Sequence, residues 1–126
     1  MDLLTKVQQL EEDAASFGFR WETTQQIMEQ IASECTEIHE HLTQDAKTMN
    51  RAELQEEIGD LLHAVFSLCV FCDFSPKETL KKTLLKFEKR LNAVKKLTPE
   101  QGLTTLDGLS FEELMRIWER AKKLVG

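Results

Sequence analysis

Between Leu61 and Cys72 the chain is apolar on nearly every side of a helix, and no other feature constrains its fold as much. The main stripe is Leu54, Ile58, Leu61, Val65, Leu68 and Cys72, spaced by threes and fours. That spacing marks a helix face turned to a core. Phe66, Val70 and Phe71 lie off the stripe, so the helix must be covered on more than one side. In a chain of 126 residues part of that cover is expected from a second subunit. The longest apolar stretch, Leu61 to Phe74, is broken by His63, Ser67 and Asp73 and is too short for a bilayer, which needs about 20 apolar residues.

The rest of the sequence predicts four more helices and no strand. The first runs from about Leu3 to Phe17, with Asp2 as N-cap and Gly18 as its breaker. Phe19-Arg20-Trp21-Glu22 connects it to the second, roughly Thr24 to Gln44, capped by Thr23. The stripe of that helix is Ile27, Ile31, Cys35, Ile38 and Leu42. Asn50-x-x-Glu53 opens the third, apolar helix as a capping box, and the helix runs to about Asp73. Ser75-Pro76-Lys77-Glu78 supplies the fourth with a cap, a first-position proline and a capping glutamate, and that helix runs to about Lys95. A Gly-containing loop from Leu97 to Leu109 precedes the last, Phe111 to Lys123, capped by Ser110-x-x-Glu113. Short connections between long helices predict antiparallel neighbours. The fold class is therefore all-α: an antiparallel bundle of about five helices in one domain, residues 1–126, its four-helix core completed by dimerisation.

A hydrophobic fraction of 41% suffices for a core, and 30% charged residues favour solubility. The net charge of −6 argues against a general nucleic-acid-binding face, which would have to be basic. A phosphorylated small molecule remains open if a metal bridges it. Met1 leads straight into a charged segment with no leader pattern, so the expectation is a cytoplasmic protein that binds neither membrane nor nucleic acid. Cys35, Cys69 and Cys72 form no disulfide framework. Cys69-Val-Phe-Cys72 lies inside the apolar run rather than at a helix start, where a redox pair would sit, and is expected to be two buried small hydrophobes.

Two acidic pairs border this core: Glu34-x-x-Glu37 on the second helix and Glu57-x-x-Asp60 on the third. Turning about 100° per residue places Glu34 at the edge of its stripe and Glu37 about 60° further out. Glu57 falls within its stripe, between Leu61 and Ala64, with Asp60 again about 60° outward. Glu11, Glu12, Glu40, Glu56 and Glu88 are read as a solvated face, and His39 and His41 as polar-side residues. A solvated face is also open to the acidic pairs, but for Glu57 it fits poorly, because its neighbours in projection are apolar. Carboxylates gathered at a core edge need compensation, which a divalent cation supplies. All-oxygen ligation suits a hard ion such as Mg²⁺, with Mn²⁺ as substitute.

Ser33-Glu34-Cys35-Thr36-Glu37 followed by Glu57-Ile58-Gly59-Asp60-Leu61-Leu62 resembles the E-E-x-x-E and E-x-x-D motifs of the MazG-like nucleotide pyrophosphohydrolases, within the all-α NTP pyrophosphatase superfamily. Arg20-Trp21-Glu22-Thr23-Thr24-Gln25 is similar to that family's W-D-x-x-Q, and Trp118-Glu119-Arg120-Ala121-Lys122 to its W-E-x-x-K. The resemblance extends from about Phe19 onward. It implies Mg²⁺-dependent hydrolysis of a nucleoside triphosphate, NTP or dNTP, to monophosphate and pyrophosphate. It makes Glu34, Glu37, Glu57 and Asp60 the catalytic metal ligands, and it implies association as a homodimer or a tetramer of dimers.

The substrate-binding candidates follow from the same comparison. Trp21 and Gln25 are placed to contact base or ribose, or Trp21 serves structure alone. Lys82, Lys86 and Arg90 share one face of the fourth helix, and Lys86 and Arg90, with Lys122 from the last helix, are the phosphate candidates. Trp118 suits either core packing or a stacking platform. His63 gives only one acid-x-x-His, whereas a di-iron bundle wants two. The sequence departs from the family at Ser33, where the first motif glutamate would stand. That departure keeps open a non-catalytic dimerisation or regulatory module, alongside a pyrophosphohydrolase acting on a phosphoribosyl nucleotide.

Overall fold

A computed structural model describes all residues, Met1–Gly126. It is all-α, with α1 Leu3–Phe17, α2 Thr24–Leu42, α3 Arg51–Phe71, α4 Pro76–Leu97 and α5 Phe111–Val125, and one 3₁₀ turn, Pro99–Gln101. The chain forms two compact units, Met1–Thr79 and Leu80–Gly126. No single helix is long and apolar enough to cross a membrane.

The helix ends follow the local chemistry of the sequence. Asp2 accepts a hydrogen bond from the Thr5 backbone N–H at 2.9 Å. That bond first, and the Lys77 ammonium at 2.9 Å second, hold the Asp2 carboxyl well below the usual carboxylate range. α1 closes in a Schellman motif: Phe19 N–H donates to Ala14 O and Gly18 N–H to Ala15 O. Gly18 takes the required left-handed conformation at φ 102° because it has no Cβ to clash. α3 ends in the same way, with Phe74 N–H on Cys69 O and Asp73 N–H on Val70 O. There Asp73 adopts φ 64°, which a short polar side chain tolerates. Thr23 and Gln26 form a full capping box on α2, as Ser110 and Glu113 do on α5.

In the first unit α3 packs against both α2 and α1. α2 and α3, joined through residues 43–50, run antiparallel, with His41 level with Glu57. α1 does not pack on α2, contrary to the expectation from its short connection. It lies along α3, where Glu11 meets His63 and Ser67. Ile27 is fully buried, worth roughly 1.5–3 kcal/mol of burial free energy, and it joins Leu54 and Ala64 in the core. Both inward faces are rotated from their expected stripes. α2 turns in Ile27, Ile31, Glu34, Ile38 and His41, while Cys35 and Leu42 face out. α3 turns in Leu54, Glu57, Leu61, Ala64 and Ser67, leaving Ile58, Leu62 and Val65 40–55% exposed.

The cysteines correct the expectation of burial. Cys69 is half-buried and Cys72 is exposed, because Cys72 is the residue where α3 stops. In the second unit Ala93, Val94 and Leu97 of α4 pack with Ile117 and Ala121 of α5, covered by Leu106, Leu109 and Trp118. Thr98 is buried there without cost, its hydroxyl donating to Val94 O at 2.8 Å.

Candidate functional site

The α2–α3 hairpin carries all four acidic candidates. Glu34 is 7% exposed, deeper than the edge position expected of it. Its Oε1 accepts from Gln30 Nε2 at 2.8 Å, while its Oε2 is buried and without a partner. On α3, Glu57 Oε1 lies 3.1 Å from His41 Nε2, and Glu57 Oε2 is likewise buried without a partner. The inner carboxylates thus share one arrangement: one oxygen held, the other open. Glu37 and Asp60 are exposed. His41 faces Glu57; Glu37 stands four residues before the one and Asp60 three after the other, so the outer pair lies one turn further along the hairpin.

No Lys or Arg forms an ion pair with any of these four carboxylates. A buried carboxylate oxygen without a donor is costly, and Glu34 Oε2 and Glu57 Oε2, about two turns apart along the hairpin, are each left without one. As they stand, no three His, Cys, Asp or Glu side chains converge closely enough to enclose an ion. The donor chemistry fits a hard cation, with Glu34 and Glu57 offering the buried oxygens and Glu37 and Asp60 on the open side.

His41 corrects the sequence reading. It is half-buried rather than solvated, its side chain 15% exposed against Glu57. The available signal was spacing: His41 follows Glu34 by seven residues, two helical turns, and so shares its face. Glu11 is a second correction. Assigned to a solvated face, it is half-buried on α1, 2.6 Å from His63 Nε2 and accepting from Ser67 Oγ at 2.7 Å. These three side chains lie in a cleft of about 950 Å³ within the first unit, walled by Trp21, Phe71 and Phe74 among others. Trp21 is half-buried there, whereas Gln25 is exposed and donates to Glu29 at 3.1 Å.

The cationic candidates belong to the second unit. Lys86 is exposed. Arg90 is already engaged: its Nε donates to Gly126 O at 2.9 Å, and its guanidinium lies 5.7 Å from the Trp118 ring centroid. Trp118 packs on the core cluster, with Phe87 at 5.8 Å. Lys122 pairs with Glu119 at 3.0 Å.

A profile of the MazG nucleotide pyrophosphohydrolase domain matches residues 22–95. The chain belongs to that family. The MazG match takes in Gln25, Lys86, Arg90 and the four carboxylates; Trp21 lies one residue before it, and Trp118 and Lys122 lie beyond it. Over 119 residues, 94% of the chain, the sequence is 33% identical to the nucleoside triphosphate pyrophosphohydrolase/pyrophosphatase MazG of Thermotoga maritima. It is 28% identical over 120 residues, 95% of the chain, to the nucleoside triphosphate pyrophosphohydrolase of Escherichia coli. The chain spans 44% of the length of each of these MazG-family relatives. A 70-residue stretch, 56% of the chain, is also 31% identical to 14% of the uncharacterized protein YabN of Bacillus subtilis.

Proposed function

We propose that this chain hydrolyses a nucleoside triphosphate, with water, to a nucleoside monophosphate and pyrophosphate, using Mg²⁺ held by Glu34, Glu37, Glu57 and Asp60. The observation that carries the reading is the pair of buried, unpartnered oxygens, Glu34 Oε2 and Glu57 Oε2, on the hairpin that the family profile covers. A bound divalent cation supplies charge neutralisation on the phosphates and acidifies the attacking water. The chain's own residues do the positioning. The helices α2 and α3 are rigid supports, which hold ligands more closely than loops do. Trp21 lines a cleft of about 950 Å³, within the size range of small-molecule pockets, and is the candidate for base contact, with exposed Gln25 toward base or ribose. For Arg90 and Trp118 the contacts described above favour a role in fixing α5 against α4.

The test is a panel of NTPs and dNTPs with Mg²⁺, scored for pyrophosphate against orthophosphate. Pyrophosphate from at least one member, with none in EDTA, is the expected result. Orthophosphate alone, or no product from any member, overturns the reading in favour of a non-catalytic module.

Self-association is part of the same proposal. Ile58, Leu62 and Val65 form one exposed apolar strip on α3, and burying such a strip is favourable. A homodimer, or a tetramer built from dimers, is expected in sedimentation at micromolar concentration. A stable monomer there counts against it.

A further inference from the structure

We infer that His41 is a positioning residue for the acidic constellation: it occupies Glu57 Oε1 so that Glu57 presents Oε2 alone to the cation. The inference rests on the metal reading above and goes beyond its four ligands. His41 Nε2 lies 3.1 Å from Glu57 Oε1. A carboxylate only accepts, so the contact assigns the proton to Nε2. That leaves Nδ1 as an acceptor, and it is buried with no donor. A histidine selected only for packing would be expected to have both nitrogens satisfied. Here one nitrogen is left unsatisfied in favour of the bond to Glu57.

Glu34 shows the same arrangement by other means. Gln30 holds its Oε1 at 2.8 Å while Oε2 is open and buried. Two carboxylates on two helices, each with one oxygen pinned and one free, form a repeated pattern. Pinning one oxygen disfavours bidentate chelation, since that oxygen already uses one lone pair, and it fixes the direction of the other. Groups that orient ligands in this way typically contribute about 10–100-fold to metal affinity.

The test measures Mn²⁺ binding to the full chain by electron paramagnetic resonance, without nucleotide, in wild type, His41→Leu, His41→Gln and His41→Asn. Gln places an amide N–H near the position of Nε2, Asn nearer that of Nδ1, and Leu offers no donor. The expected result is a dissociation constant about 10–100-fold weaker for H41L and H41N, close to wild type for H41Q, with similar metal-free melting of all four proteins. H41L binding as tightly as wild type overturns the positioning role and leaves the metal site standing. H41Q as weak as H41L overturns it too, since the donor would then be irrelevant. A ¹⁴N coupling to Mn²⁺ that vanishes in H41L makes His41 a ligand instead. Wild type that fails to bind Mn²⁺ overturns the metal reading and the inference together.

Discussion

Glu57→Gln is expected to remove nearly all pyrophosphate release while leaving the helical content unchanged. Glu57 sits on the inward face of α3 between buried Leu54 and half-buried Leu61, and no protein cation pairs with it apart from the contact to His41. Its charge therefore has little structural use. Gln keeps the shape, and its carbonyl oxygen still accepts from His41 Nε2, but the anion is lost. The expected loss exceeds about 100-fold, the upper end of what changes outside a ligand set typically cost. Metal-free stability should hold or rise, because one of several neighbouring like charges is gone. Glu56→Gln is the matched control: Glu56 is exposed, and its variant should retain activity. Circular dichroism and pyrophosphate release measured on both variants decide the matter. Equal turnover by the two would remove the acidic constellation from the mechanism.

Addition of Mg²⁺ or Mn²⁺ is expected to raise the unfolding midpoint of the first unit. A ligand bound only by the native state stabilises it by about 2.7 kcal/mol at 100 times its dissociation constant. For a chain of this size that corresponds to a rise on the order of 10 °C. The two units can be followed separately, because the only tryptophans are Trp21 in the first and Trp118 in the second. Trp21 fluorescence in a Trp118→Phe background reports the unit that carries the carboxylates. No shift over a millimolar range of either metal, with an intact helical spectrum, would sink the metal site.

The elements were legible because their boundaries are local events. Asp2, Thr23, Asn50 and Ser110 cap the helices they were expected to cap, and Gly18 stops α1 through its own backbone freedom. What escaped the sequence was the rotation of each helix about its axis. Counting apolar residues centred the α2 stripe on Cys35 and Leu42, whereas the packed face runs through Glu34 and His41. A polar residue turned inward is invisible to a hydrophobic pattern, since its burial depends on a partner from another element. His41 needs Glu57, sixteen residues away, and Glu11 needs Ser67, fifty-six away. Acidic spacing and the family motif both singled out Glu34 and Glu57 as candidates, but neither had a place for His41. The docking of α1 on α3 rather than α2 was likewise a tertiary outcome, not readable from the length of the connection.

The hairpin that carries the four carboxylates also makes their register insensitive to the chain between them. Glu34 and Asp60 are joined through a single turn, residues 43–50, and α3 begins where Asn50 receives the N–H groups of Ala52 and Glu53. The register of the acids is thus set by a cap and by side-chain packing, not by how many residues the turn contains. Lengthening a flexible loop is inexpensive, about 0.6 kcal/mol for each doubling. Insertions between Gln44 and Met49 would leave the facing pairs where they are. The turn is free to vary in length and composition, while the two short acidic signatures keep their separation in space whatever their separation in sequence.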